Sequence, residues 1–133
     1  MEFQQLNIFA IFVASLSRFA LGGIWYGPVF GKVWMRETGV TEEKAKEANM
    51  FKTFGLTFLA SLVIAFNLAF FLGLESSLQT GTFYGFLVGF GWVAMSIATN
   101  DLFEQRSFKL FAINSSYHVL AFTIMGAILG VWS

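Results

Sequence analysis

The chain has 133 residues, of which 56% are apolar and 12% charged, and its formal charges cancel to zero. That share of charge is about half of what a soluble domain carries, so a water-facing fold of this length lacks the polar surface it needs. Zero net charge without a basic tract argues against a nucleic-acid partner, and the absence of cysteine excludes disulfides, thiolate metal sites and cysteine nucleophiles.

Taken in chain order, the first apolar stretch covers about residues 6–29 and is interrupted only by Arg18. It is too long for a secretory signal, has no basic region before it, and runs into Trp25-Tyr26-Gly27-Pro28 without an A-x-A-like site, so it reads as a retained span. Pro28 cannot donate a backbone hydrogen bond and crowds the carbonyl of Ile24, which predicts a kink or a stop there, with Gly22 and Gly23 loosening the turn before it. A loop over 31–52 follows. Within it Thr41 can cap a short amphipathic helix through Ala48 whose first turn carries Glu42 and Glu43, either a solvated connector or a docking element for a partner.

Three further windows hold no charge at all: Thr53 to Leu74, Ser76 to Asn100 and Leu110 to Ser133. Each exceeds the roughly 18 residues that mark a bilayer-spanning helix. The predicted spans are therefore 6–29, 53–74, 81–100 and 109–132. Short turns at Glu75 to Thr80 and Asp101 to Phe108 make consecutive spans antiparallel neighbours. The expectation is one all-α membrane domain over 1–133, a four-span up-down bundle.

Seven of the eight basic residues (Lys32, Arg36, Lys44, Lys46, Lys52, Arg106 and Lys109) fall on the side of loop 31–52, and none falls on the other side. By the positive-inside rule that loop is cytoplasmic and both termini are periplasmic or extracellular. Trp25, Tyr26, Trp34 and Trp132 stand near span ends, where amphipathic rings favour the headgroup region.

Small residues recur every four positions: Ser61, Ala65, Ala69 and Gly73 in the second span, Gly81, Gly85 and Gly89 in the third, Gly126 and Gly130 in the fourth. Such rows let helix backbones approach closely in lipid, either inside one subunit or between copies.

Arg18 is the most informative residue. It lies roughly 16 to 18 Å down its span at 1.5 Å per residue, too deep to snorkel out, so it needs acceptors from neighbouring helices. Asn114 and His118, one turn apart in the last span, match its depth best, with Ser115 and Tyr117 adding hydrogen-bonding groups. Asn67, Ser96 and Asn100 could complete a polar interior, and Asp101 and Glu104 at the cytoplasmic end could supply negative charge; their depth matches Arg18 poorly, so hydrogen bonds to neutral groups or to an anionic ligand are expected before an ion pair. The cluster either locks the bundle or forms a site for a small ion or metabolite, with His118 suited to a switch or to an anion or proton pathway. A single histidine is weak ground for a haem or chlorophyll, so no cofactor and no metal is expected. No HExxH, paired carboxylate, Ser-His-Asp order or phosphate loop is present, and enzyme activity is not expected.

These residues resemble the family of small bacterial membrane proteins called domain of unknown function 1761. The likeness rests on Asn7 before an alanine-rich span, GGIWYGPVFGKVW from Gly22 to Trp34, Leu102-Phe103-Glu104 followed by Arg106, and LFAINSSYHVLAFTIMGAILGVW from Leu110 to Trp132. Asn114-Ser115-Ser116-Tyr117 stands where Asn-Ala-Gly-Tyr is expected in relatives. The resemblance implies a four-span fold and brings no activity and no functional residue. The expectation is a non-enzymatic protein of the bacterial inner membrane, oligomeric, with a polar interior that binds or passes a small ion or metabolite. The alternative is an accessory subunit of a larger membrane complex.

Overall fold

The computed structural model describes residues 7–41, 43, 50–73 and 77–132. There is no strand among the described residues, and four helices are long and apolar enough to cross a membrane: Ile8–Val29, Phe51–Leu72, Leu78–Glu104 and Phe108–Val131.

The first span opens on Asn7, whose side-chain oxygen accepts from the Ala10 N–H at 3.1 Å, and continues as α1 (Ile8–Ile24). It then widens into a π-helical turn, Trp25–Val29, closed by the Phe30 N–H on the Trp25 carbonyl at 2.8 Å. Pro28 explains the change, because its missing N–H leaves the Ile24 carbonyl without its usual partner and the ladder re-forms with a longer ring. From residue 31 the sequence predicts loop. The chain instead forms α2 (Gly31–Thr38), in which Gly31 is required because a Cβ there would lie 2.7 Å from the Tyr26 carbonyl oxygen. Gly39, at φ +81°, ends α2 with its N–H on the Met35 carbonyl. The expected helix from Thr41 to Ala48 lies, apart from Thr41 and Glu43, outside the described residues.

The second span is α3 (Met50–Leu72). Gly73 stops it in the left-handed conformation at φ +81°, and a Cβ on Gly73 would meet nothing within 4 Å. This corrects its assignment to the packing row: Gly73 is a helix terminator, while Ser61, Ala65 and Ala69 of that row are buried.

The third span is longer than the predicted 81–100 at both ends. It begins with α4 (Leu78–Leu87), capped by Ser77 on the Thr80 N–H, passes through a second π-helical stretch, Val88–Ala94, and ends as α5 (Met95–Glu104). Gln105 at φ 57° closes it, with the Arg106 N–H on the Asp101 carbonyl at 3.0 Å. The extra turn carries Asp101 and Glu104. Absence of charge marks the hydrocarbon zone, whereas the helix itself runs on until its backbone is capped.

The fourth span, α6 (Phe108–Val131), starts on Ser107, which accepts from the Leu110 N–H at 3.1 Å and donates to the Glu37 carboxylate in α2. It is the central element, 44% buried against 22–28% for the other three. It packs between the first and third spans, and the second span packs on the first and, more lightly, on the fourth.

Register follows from named contacts. Ser15 faces Ser61, and Phe19 packs edge-on against Phe54 and Phe58. Asn7 donates to the Trp132 carbonyl at 2.6 Å, at one end of the first and fourth spans, while Trp25 donates to the Ile113 carbonyl at the other. A core of Ala10, Ile11, Ala14, Ala65, Leu68, Ala69, Phe122, Met125 and Leu129 joins spans one, two and four.

The two glycine rows meet each other. A Cβ on Gly81 would collide with the Gly126 carbonyl oxygen, one on Gly85 with the Phe122 carbonyl oxygen, and one on Gly130 with the Ser77 carbonyl oxygen; one on Gly89 would come within 2.9 Å of the Val119 Cα. Of the two uses open to such rows, Gly81, Gly85, Gly89, Gly126 and Gly130 serve packing inside one chain.

Candidate functional site

Arg18 lies on the buried row of Ala10 and Ala14 and is itself only 8% exposed. The two alanines let the fourth and second spans close in above it, and the guanidinium then meets both. One terminal nitrogen donates to Ser61 Oγ at 3.4 Å and the other to His118 Nδ1 at 3.3 Å. Because a guanidinium has only donors, Nδ1 is the acceptor and the His118 ring proton sits on Nε2. The guanidinium carbon stands 5.3 Å from the centre of the Tyr117 ring, and the Tyr117 hydroxyl donates to the Arg18 carbonyl at 3.0 Å.

What surrounds the charge is neutral. Ser61 passes its own proton to the Thr57 carbonyl at 3.0 Å, and the buried Ser15 hydroxyl donates to the Ile11 carbonyl at 2.8 Å and lies 3.4 Å from the Ser61 carbonyl. Among the described residues no carboxylate bonds Arg18, and Arg106 pairs with Glu104, two positions apart and exposed at a span end. Arg18 Nε is buried and has no partner. An arginine at mid-helix already costs about 2.5 to 3.5 kcal/mol to insert, and a desolvated face of Tyr117 returns roughly 2 kcal/mol of that. Two long hydrogen bonds to neutral atoms leave the charge under-compensated.

Of the side chains expected to share this interior, His118 and Arg18 are in contact, and Asn114 lies one turn away with a different partner: its side-chain oxygen accepts from the Tyr26 hydroxyl at 2.7 Å. Tyr26 in turn packs edge-on against Tyr117 and Trp34. Trp25 and Tyr26 thus bind polar tips into the fourth span, and Trp132 supplies its carbonyl to Asn7.

Asn67, Ser96 and Asn100 are outside the cluster. All three are exposed; the Asn67 amide donates to the Val63 carbonyl at 2.8 Å and the Ser96 hydroxyl to the Trp92 carbonyl at 2.6 Å, each on its own helix. A Ser or Asn in a helix can satisfy itself on the preceding turn, so polarity at the right depth does not bring it inward.

Ser61 and Tyr26 are the partners that sequence reasoning missed. Ser61 was visible only as a member of the small-residue row, yet it and Arg18 are each about eleven residues from the ends of their spans that flank 30–50, equal depths at 1.5 Å per residue. Among the described residues no group of three His, Asp or Glu side chains could hold a metal ion.

Among the described residues, four apolar membrane-length helices and the buried Arg18 define a helical membrane protein. The model of the family described as Protein of unknown function (DUF1761) matches residues 9–130, and the chain belongs to that family. Comparison with curated proteins and with solved structures gave no match.

Proposed function

We propose that the protein is a non-enzymatic bacterial inner-membrane protein, an up-down four-span bundle, in which the Arg18 cluster binds a small inorganic or carboxylate anion on its way across the bilayer. Loop 31–52 is cytoplasmic and both termini are periplasmic or extracellular, on the strength of the seven-to-zero distribution of lysine and arginine. One observation carries the functional reading: a buried mid-span guanidinium whose five N–H groups find two acceptors, both neutral, with Nε unpartnered. An anion supplies what is missing, opposite charge and acceptors for a planar fork of donors. The His118 Nε2–H adds a donor on the same helix face as Asn114.

The test uses purified protein in liposomes, measuring thermal stability and flux with halide, phosphate and small carboxylates for the wild type, Arg18→Lys, Arg18→Gln and His118→Gln. The expected result is that at least one anion class stabilises the wild type, that Arg18→Lys keeps part of the effect, and that Arg18→Gln assembles but has lost it. A wild type indifferent to all three classes, together with arginine variants that fail to assemble, leaves the cluster as a structural lock.

A second reading, contact with further spans, is favoured by Asn67, Ser96 and Asn100 on exposed faces. The cysteine-free chain permits a clean check with Ser96→Cys or Asn67→Cys cross-linked in native membranes. Self-linked species favour a homo-oligomer, a foreign band favours an accessory subunit of a larger complex, and monomer alone removes both.

A further inference from the structure

The turn between the third and fourth spans borders an open pocket of about 270 Å³ lined by Ala98, Asp101, Leu102, Arg106, Phe108 and Phe111. Local structure builds it. The left-handed Gln105 turns the chain so that Arg106 returns to Asp101, and Ser107 starts the next helix at once, which sets Phe108 and Phe111 opposite with ring centres 5.9 Å apart.

Inside, the chemistry is incomplete. Asp101 Oδ2 is buried and has no hydrogen-bond donor, although a buried carboxylate oxygen is costly to leave unmatched. Arg106 lines the same pocket, but none of its N–H groups bonds Oδ2, and its Nε donates to Glu104 Oε2 at 3.1 Å. The pocket therefore holds a negative charge that needs an N–H and, at its edge, a positive charge held only by an exposed pair, the weak kind. Leu102 and Phe108 are exposed beside it, at the level where two membrane-length helices end.

We propose that this pocket seats the head of a zwitterionic aminophospholipid, its primary ammonium on Asp101 and its phosphate on Arg106, with the acyl chains leaving over Leu102 and Phe108. A primary ammonium fits where a trimethylammonium does not, because Oδ2 needs a hydrogen-bond donor and a quaternary nitrogen has none. The site is separate from Arg18 and does not depend on its role.

Native mass spectrometry of the protein in nanodiscs tests this with phosphatidylethanolamine, phosphatidylcholine and phosphatidylglycerol of identical chains. The wild type is expected to hold phosphatidylethanolamine over phosphatidylcholine by roughly tenfold, the scale of one charge-assisted hydrogen bond. Asp101→Asn levels the two, Arg106→Gln weakens both alike, and Ala98→Phe, which fills the pocket, releases all bound lipid; thermal unfolding in detergent checks that each variant is folded. Glycerophosphoethanolamine, the same head without chains, is expected not to compete at equal concentration. A phosphatidylethanolamine preference that is absent in the wild type or unchanged in Asp101→Asn overturns the proposal, and equal competition by the chainless head transfers the site to a soluble metabolite and overturns the lipid assignment.

Discussion

Replacing Gly85 by alanine adds one methyl group where the third and fourth spans touch backbone to backbone. Its Cβ would overlap the Phe122 carbonyl oxygen and lie 3.0 Å from the Phe122 carbonyl carbon and 3.2 Å from the Thr123 Cα. Overpacking costs roughly 1 to 3 kcal/mol when side chains can yield. Here the obstacles are backbone atoms, which cannot rotate away, so the two helices must separate along the whole row of Gly81, Gly85, Gly89, Gly126 and Gly130. The expected loss is therefore at the upper end, about 3 kcal/mol, or roughly 150-fold in the ratio of folded to unfolded protein. Gly55→Ala is the matched control. It makes the same chemical change in α3 where a Cβ would meet nothing within 4 Å, and removing a helical glycine there is expected to stabilise by about 0.5 to 1 kcal/mol. Reversible unfolding by sodium dodecyl sulfate in mixed micelles, followed by tryptophan fluorescence, compares the two on one scale. If Gly85→Ala unfolds with or after Gly55→Ala, the close contact between these spans does not exist.

Three smaller effects follow from the same geometry. Gln105 holds φ 57°, so Gln105→Gly should raise the unfolding midpoint, by about 0.5 to 1 kcal/mol, and a lowered midpoint would speak against the left-handed closure of the third span. Tyr26→Phe and Asn114→Ala should each destabilise, and their double-mutant cycle should show a coupling of roughly 0.5 to 1.5 kcal/mol, with strict additivity contradicting the 2.7 Å hydrogen bond. Ser61→Ala removes a neutral acceptor from Arg18 and should cost about 1 kcal/mol in the same assay, whereas Ser96→Ala, on an exposed face, should stay within about 0.5 kcal/mol of wild type.

The spans were legible because charge is so costly in hydrocarbon that its absence alone outlines them, and only their ends shifted. Span ends depend on caps such as Ser77 and Gln105, which hydropathy does not register. The pairing of Arg18 with His118 was legible from depth, since an arginine that cannot reach water restricts its partners to one level of the bundle. Depth does not say which way a side chain faces: Asn67 and Ser96 are satisfied by their own helix carbonyls, and Asn100 stands on an exposed face. Ser61 was hidden for the opposite reason: its place in a row of small residues explained it fully before its hydroxyl was considered. The glycine rows were visible, and which row meets which required the fold.

The most direct measurement on the central claim looks at the Arg18 guanidinium itself. In protein labelled with 15N-arginine and held in nanodiscs, the side-chain Nε–H signals of Arg18, Arg36 and Arg106 are followed while halide, phosphate and a small carboxylate are titrated in turn. The account expects the Arg18 signal to move saturably with at least one of them, while the exposed Arg36 shows no saturation. An Arg18 signal that stays fixed through all three titrations would contradict anion binding at this site.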